Sequence, residues 1–147
     1  MSNKIEGLDP RLITDKIELI DGVYIASCHL RKTTTYCPVC GKKTNSVHSM
    51  YRSKFYDLPI QGIPVLIDLE KKKYLCRNKD CNTKTFTEKI EFISPKGRKT
   101  KRLIKTIVNL NKDMSSVQTS KDLLNMGIIV KKSAICNYLK KNKIENN

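Results

Sequence analysis

No stretch of this 147-residue chain approaches the roughly 18 to 20 consecutive apolar residues that cross a bilayer as a helix. Its start, Met1-Ser2-Asn3-Lys4-Ile5-Glu6, lacks the apolar segment of a secretory signal. These absences set aside a membrane helix and an exported protein, so the expected workplace is the cytoplasm. No internal repeat and no low-complexity segment occurs, which sets aside solenoid architectures. Acidic residues are scarce, Asp+Glu 14 against Lys+Arg 29, and the formal net charge is +15. A protein so basic has a polyanion, nucleic acid or an acidic surface, as its natural partner.

What is present supports a folded protein. Hydrophobic residues make up 39% of the chain, too many for a disordered tail, and the length suits one domain or two small ones closely joined. The charge is unevenly placed. Residues 1–30 carry three basic and five acidic side chains, residues 31–94 thirteen and six, and residues 95–147 thirteen and three, for net charges of −2, +7 and +10. The polyanion site is therefore expected in the middle and at the end of the chain.

Six cysteines in a reducing compartment read as a metal site before they read as disulfides. Cys37-Pro38-Val39-Cys40 and Cys76-Arg77-Asn78-Lys79-Asp80-Cys81 offer four thiolates in two close pairs, the donor set that tetrahedral Zn2+ takes when each pair sits on a turn. Gly41 can adopt the positive φ that aims backbone N–H groups at sulfur, and Asn82 is the next most tolerant residue for it. The 35 residues between the pairs make a long spacer, but each doubling of a loop costs only about 0.6 kcal/mol. Structural zinc contributes roughly 10 to 16 kcal/mol in small peptides, which exceeds that cost many times over. A redox reading of Cys37 and Cys40 would need a helix to start there, and Gly41-Lys42-Lys43-Thr44-Asn45-Ser46 reads as a loop. Cys28 and Cys136 are expected to pack as small apolar residues. His48 is a spare ligand where four thiolates already suffice, and His29 reads as a strand residue.

Periodicity divides the chain into a β part and an α part. Residues 16–30 form two β-rich runs around Asp21-Gly22, a hairpin signal. Residues 64–75 alternate, with Val65, Ile67 and Leu69 on one face against Asp68, Glu70 and Lys72, which predicts a half-buried strand. A short strand is expected at 84–91, and Pro59, Gly62 and Pro64 read as punctuation in the connection before the long strand. After residue 96 the period becomes helical. Helices are predicted at about 101–111, 116–126 and 132–142, with Ser115 or Ser116 as N-cap of the second, Gly127 as its end, and Ser133 at the start of the third. The fold class is α+β: an N-terminal β-hairpin segment at 1–35, a small β zinc ribbon at 36–95, and a helical helix-turn-helix unit at 96–147.

In order along the chain, Cys37-Pro38-Val39-Cys40-Gly41, His48-Ser49, Tyr51-Arg52, Asp57-Leu58-Pro59 and Gly62 resemble the zinc-ribbon entry of the ISL-three family of bacterial insertion-sequence transposases. Tyr74-Leu75-Cys76, Cys81 and Thr85-Phe86-Thr87-Glu88 resemble that family's second knuckle and exit, and Thr100 onward resembles its helix-turn-helix. The resemblance spans roughly residues 17 to 142. The family's transposases continue into an RNase H-like domain with three metal-binding carboxylates. Past residue 95 this chain has only Asp113, Asp122 and Glu145, on short helical or frayed segments. The resemblance thus implies a non-enzymatic DNA-recognition portion, a truncated reading frame or remnant. Its expected target is the terminal inverted repeats of an insertion sequence. Further expected partners are a second copy or a separately encoded catalytic half.

Two regions are expected to hold double-stranded DNA. In the last helix Ile135, Tyr138 and Leu139 would pack inward, while Lys132, Ser133, Asn137, Lys140 and Lys141 face outward. Asn137 can read adenine bidentately and the lysines can meet phosphates. The connection from Met126 to Val130 is longer than the usual tight turn of a helix-turn-helix. On the ribbon, Lys71, Lys72, Lys73 and Arg77 are the expected phosphate contacts, with Arg52, Lys54 and Lys79 nearby in sequence. Tyr51, Phe55, Tyr56, Tyr74 and Phe86 are read as core packing rather than base stacking. The rival reading is a zinc-ribbon adaptor that docks on a protein of a nucleic-acid machine.

Overall fold

The computed structural model describes residues 5, 7–31, 35–95, 98–112 and 116–145, with the side chains of 116, 117 and 141–145 left outside. Ser115 and Asp113 also lie outside the described residues. Among the described residues, seven strands precede three helices: β1 Leu12–Ile20, β2 Val23–Leu30, β3 Thr35–Tyr36, β4 Lys43–Thr44, β5 Val47–Ile60, β6 Ile63–Leu75, β7 Thr85–Thr87, α1 Lys101–Leu110, α2 Ser116–Asn125 and α3 Lys132–Glu145. The strands β1, β2, β6 and β5 lie in that order in one sheet, with β7 added beside β6, and β3 and β4 form a separate pair. The α+β class and the three helices agree with the sequence patterns. No described helix is long and apolar enough to cross a membrane.

Both long hairpins close through two residues of positive φ. Asp21 (φ 50°) and Gly22 (φ 78°) join β1 to β2, as the Asp-Gly signal predicts. Gln61 (φ 51°) and Gly62 (φ 78°) join β5 to β6 in the same manner. Here the sequence pattern misleads: Pro59 and Pro64 lie inside strands rather than in a connection. Pro59 is tolerated because β5 is an edge strand, where a missing N–H need not break a ladder.

The chain folds as two compact units, 1–17, 26–54 and 67–91 in the first and 18–25, 55–66 and 92–147 in the second. In the first, Ala26, Cys28 and Leu30 occupy the buried positions of β2, and Ile67, Leu69 and Tyr74 those of β6. Cys28 is fully buried, and its thiol meets Thr14 Oγ1 and the Ala26 carbonyl; burial pushes its pKa up, as expected for an inert core cysteine. Arg11 joins Asp9 to Glu88 through ion pairs of 3.0 and 3.2 Å.

The second unit is built on Leu103, Ile107, Leu123, Ile128, Val130 and Ile135, with Tyr56, Leu58, Tyr138 and Leu139 packed against them. This is the inward face predicted for α3. Asp57, only 3% exposed, accepts hydrogen bonds from Thr100 Oγ1 and Arg102 Nε, each 2.8 Å, and from Arg102 Nη2. Thr100 in turn caps α1 by accepting from the Leu103 N–H at 3.3 Å. The second half of β5 is stitched to the segment before α1 by Tyr56 N–H to Arg98 O and Thr100 N–H to Tyr56 O.

Helix α2 ends on a left-handed residue. Gly127 (φ 90°) donates to Leu124 O at 3.1 Å, and Ile128 donates to Leu123 O at 2.8 Å, the paired bonds of a Schellman motif. A Cβ on Gly127 would sit 2.5 Å from the Gly62 carbonyl oxygen and 3.0 Å from Pro59 Cβ. Strain and clash therefore coincide. Gly127→Ala is expected to destabilise the protein by about 2 to 4 kcal/mol in urea unfolding, whereas a loss under about 0.5 kcal/mol would contradict this packing.

Candidate metal centre

Each thiolate pair sits on a turn whose backbone is fixed by neighbouring strands. Cys37 follows β3 and Cys40 precedes β4, in a pairing that sets Thr35 opposite Thr44 and Tyr36 opposite Lys43. Cys37 N–H donates to Lys42 O at 3.0 Å and Gly41 N–H returns to Cys37 O at 2.9 Å, with Gly41 at φ 73° as its position predicts. Asn82 departs from expectation, since it does not use positive φ. The second turn is shaped instead by Asn78: its Oδ1 accepts from Asp80 N–H at 3.1 Å, and its carbonyl accepts from Cys81 N–H at 3.1 Å. An Asx turn needs no left-handed residue after the second cysteine.

The two turns are tied by the strand that carries Cys76. Leu75 N–H donates to Ser46 O at 2.8 Å, and Thr44 Oγ1 donates to Leu75 O at 2.9 Å while accepting from Ser46 N–H. Cys76 N–H reaches Lys84 O at 3.0 Å, and β7 pairs Phe86 with Tyr74. The Tyr74 and Phe86 rings stack at 5.9 Å and bury Cys37 beside them.

The ligand atoms of Cys37, Cys40, Cys76 and Cys81 lie within 4.8 Å of one another. The pair Cys37–Cys81 has its sulfurs 3.9 Å apart and Cys40–Cys76 3.6 Å. At a Zn–S distance of about 2.3 Å, a tetrahedron puts its sulfurs roughly 3.8 Å apart, a spacing that both of these pairs match and that suits the donor set to Zn2+. The long spacer therefore closes a genuine four-sulfur site. His48 is exposed and meets Ser49 Oγ at 3.2 Å, outside that cluster. Neither cysteine of the first pair begins a helix, which removes the basis of a redox centre.

Thiol chemistry at the site is split. The Asn78 side-chain amide, followed by the Lys42 backbone N–H, holds the Cys40 pKa down to about 6. At Cys76 the Asn78 backbone N–H also favours thiolate, but desolvation and the sulfurs of Cys40, Cys37 and Cys81 outweigh it and push the pKa up to about 12. Four such groups cannot all ionise side by side until a divalent cation neutralises them. Asn78 thus serves both pairs. The sequence reading passed over it, although an Asn two residues after a ligand cysteine is a turn-forming signal.

The residues expected to meet DNA divide between the two units. On β6 Lys73 is exposed, but Lys71 and Lys72 are half-buried, and burial lowers the Lys71 pKa. Alternation also turns Lys72 away from the face shared by Lys71 and Lys73. Arg77 is exposed and donates to Ser46 Oγ at 3.0 Å. On α3, Lys132, Ser133, Asn137 and Lys140 are exposed, while the Lys141 side chain lies outside the described residues. Among the ribbon aromatics Phe55, Tyr74 and Phe86 are buried, Tyr56 is half-buried and Tyr51 is exposed.

Residues 33–81 match the model of the zinc-finger of transposase IS204/IS1001/IS1096/IS1165. The matched stretch covers about a third of the chain and includes all four cysteines of the site. No curated protein and no solved structure matches the chain.

Cys76→Ser is expected to lose stoichiometric zinc and unfold the first unit, because three thiolates leave the ion open and weakly held. Metal analysis with thermal unfolding decides it, since a variant with full zinc and native stability would remove Cys76 from the site. Cys28→Ser and Cys136→Ser should keep the metal. The pH dependence has a definite sign. Cys40 has its pKa lowered from 9.0 to about 6, so its stabilisation is complete above pH 9 and lost as pH falls through 6. Zinc, which binds only thiolate, should depress the other three in the same direction, so metal release on acidification is the expected outcome and metal retention at pH 4 would contradict it.

Proposed function

We propose that this chain is a zinc-dependent DNA-binding module of a transposase that recognises the terminal inverted repeats of an insertion sequence and does no strand chemistry itself. The observation that carries the reading is the four-sulfur site inside a segment matching a transposase zinc-finger. A tetrahedral site filled by four cysteines is closed, so its metal organises structure and has no open position for a substrate. The +15 net charge supports a polyanionic partner.

The second unit supplies the second half of the proposal. Helices α1, α2 and α3 pack on one core and leave Ser133, Asn137 and Lys140 exposed on α3, which supports a role for α3 as a recognition helix. The link from α2 to α3 covers residues 126–131, longer than the three to four residues of a tight helix-turn-helix, and on this reading the unit would act as a relaxed variant of that motif. Asn137 would read adenine, while Lys132, Lys140, Lys141, Lys73 and Arg77 would meet phosphates.

If about five phosphates are neutralised, raising salt from about 50 to 200 mM should weaken binding roughly 500-fold. Lys140→Ala should weaken all duplexes alike and flatten the salt slope by about one unit, whereas Asn137→Ala should cost about 1 to 3 kcal/mol on the specific site alone. Titrations of specific and scrambled duplexes at several salt concentrations read all of these. Equal losses on both duplexes would return Asn137 to an ordinary solvated position, and weak, unselective binding by the intact chain would favour the adaptor reading. Incubated with magnesium or manganese, the homogeneous chain should neither nick nor join DNA.

A further inference from the structure

Strand β5 opens with Val47, His48, Ser49, Met50, Tyr51 and Arg52, all exposed. Successive strand residues point to opposite faces, so this stretch is uncovered on both. Burial of alternate residues begins only with half-buried Ser53 and buried Phe55. β5 is also an edge strand, with β6 on one side and no described strand continuing the sheet beyond it. Three side chains of the opening stretch are large and apolar: Met50 is 60% exposed, Val47 42% and Tyr51 41%. A long edge strand with exposed apolar groups on both faces invites a partner.

Charge selects the partner. No Asp or Glu occurs from residue 22 to residue 56, whereas Arg31, Lys32, Lys42, Lys43, Arg52 and Lys54 all fall in that interval. Arg52 is held by Asp68, through Nε to Oδ1 and Nη2 to the carbonyl, each 3.0 Å. His48, Met50 and Lys54 share its side of the strand by alternation, and all are exposed. A strand segment with no acid of its own from Val47 to Lys54, uncovered on both faces, suits a polyanion that surrounds it rather than a flat protein surface. β6 is flanked on its other side by β2 and β7, so it is the β5 edge of the sheet that can approach the major groove of B-DNA, which is about 12 Å wide and admits β-strands.

We propose that Val47–Lys54 of β5, backed by β6, enters the major groove of duplex DNA as the reading element of the first unit. The proposal rests on the DNA-binding reading above and adds β5 to the phosphate contacts of Lys73 and Arg77. The His48 imidazole hydrogen-bonds to purine N7 or O6, the Met50 thioether packs against a thymine methyl group, and Lys54 meets a phosphate.

The test uses the zinc-loaded full chain and the duplex that it selects from a library with a randomised core. His48→Ala and Met50→Ala should each weaken the selected duplex about tenfold, leave a scrambled duplex unaffected, and keep zinc content and thermal stability. Methylation of guanine N7, a major-groove atom, should interfere with wild-type binding at positions where it no longer interferes with His48→Ala. Lys54→Ala should weaken both duplexes alike. The proposal is overturned if His48→Ala and Met50→Ala bind the selected duplex as wild type does with an unchanged interference pattern. Equal losses on both duplexes would also overturn it, by reducing the strand to a phosphate contact. A wild-type chain that selects no duplex would instead bring down the DNA-binding reading, and this proposal with it.

Discussion

Four cysteine sulfurs within 4.8 Å of one another are the constraint on which the first unit depends. As thiols they leave a polar cluster at the end of a sheet, and as thiolates they repel; a divalent cation reconciles them. The surrounding structure is organised to deliver them in that geometry. Gly41 turns the first pair, Asn78 turns the second, and the Thr44–Ser46–Leu75 hydrogen bonds hold the two turns in register. Tyr74 and Phe86 supply a stacked apolar floor too small to serve as a core by itself. Metal and floor together replace the large hydrophobic interior that so short a segment cannot build.

The second unit solves a similar problem without metal. A carboxylate at Asp57, almost wholly buried, is satisfied by Thr100 and Arg102, and Thr100 also caps α1. One buried charge thus fixes where α1 begins, and truncating it would strand the Arg102 guanidinium without its carboxylate. The outward residues of α3 owe their positions to this anchoring, since Ile135, Tyr138 and Leu139 pack on the core that α1 helps to form.

Much of this was legible in the sequence because the signals were local. Two cysteine pairs of metal-ligand spacing identified all four ligands, Asp21-Gly22 marked a hairpin, and period 3.6 placed three helices within a residue or two except at the end of α3. The strand that the local patterns did not reveal was β5. Its first six residues face water on both sides and so show no alternation, and Pro59 inside it reads as a breaker. An edge position permits both departures, and edge position is a property of the whole sheet. The role of Asn78 was hidden for a related reason, because only the folded site brings its side chain to Cys40 and its backbone to Cys76. The lysine run 71–73 looked like one basic patch, whereas pleating separates its members and burial withdraws two of them.

X-ray absorption at the zinc edge of the purified protein tests the central claim most directly. A single closed site predicts one zinc per chain with a first shell of about four sulfurs at about 2.3 Å and no lighter scatterer. A mixed shell containing nitrogen or oxygen would contradict it, because it would mean that a histidine or water has replaced one of Cys37, Cys40, Cys76 and Cys81.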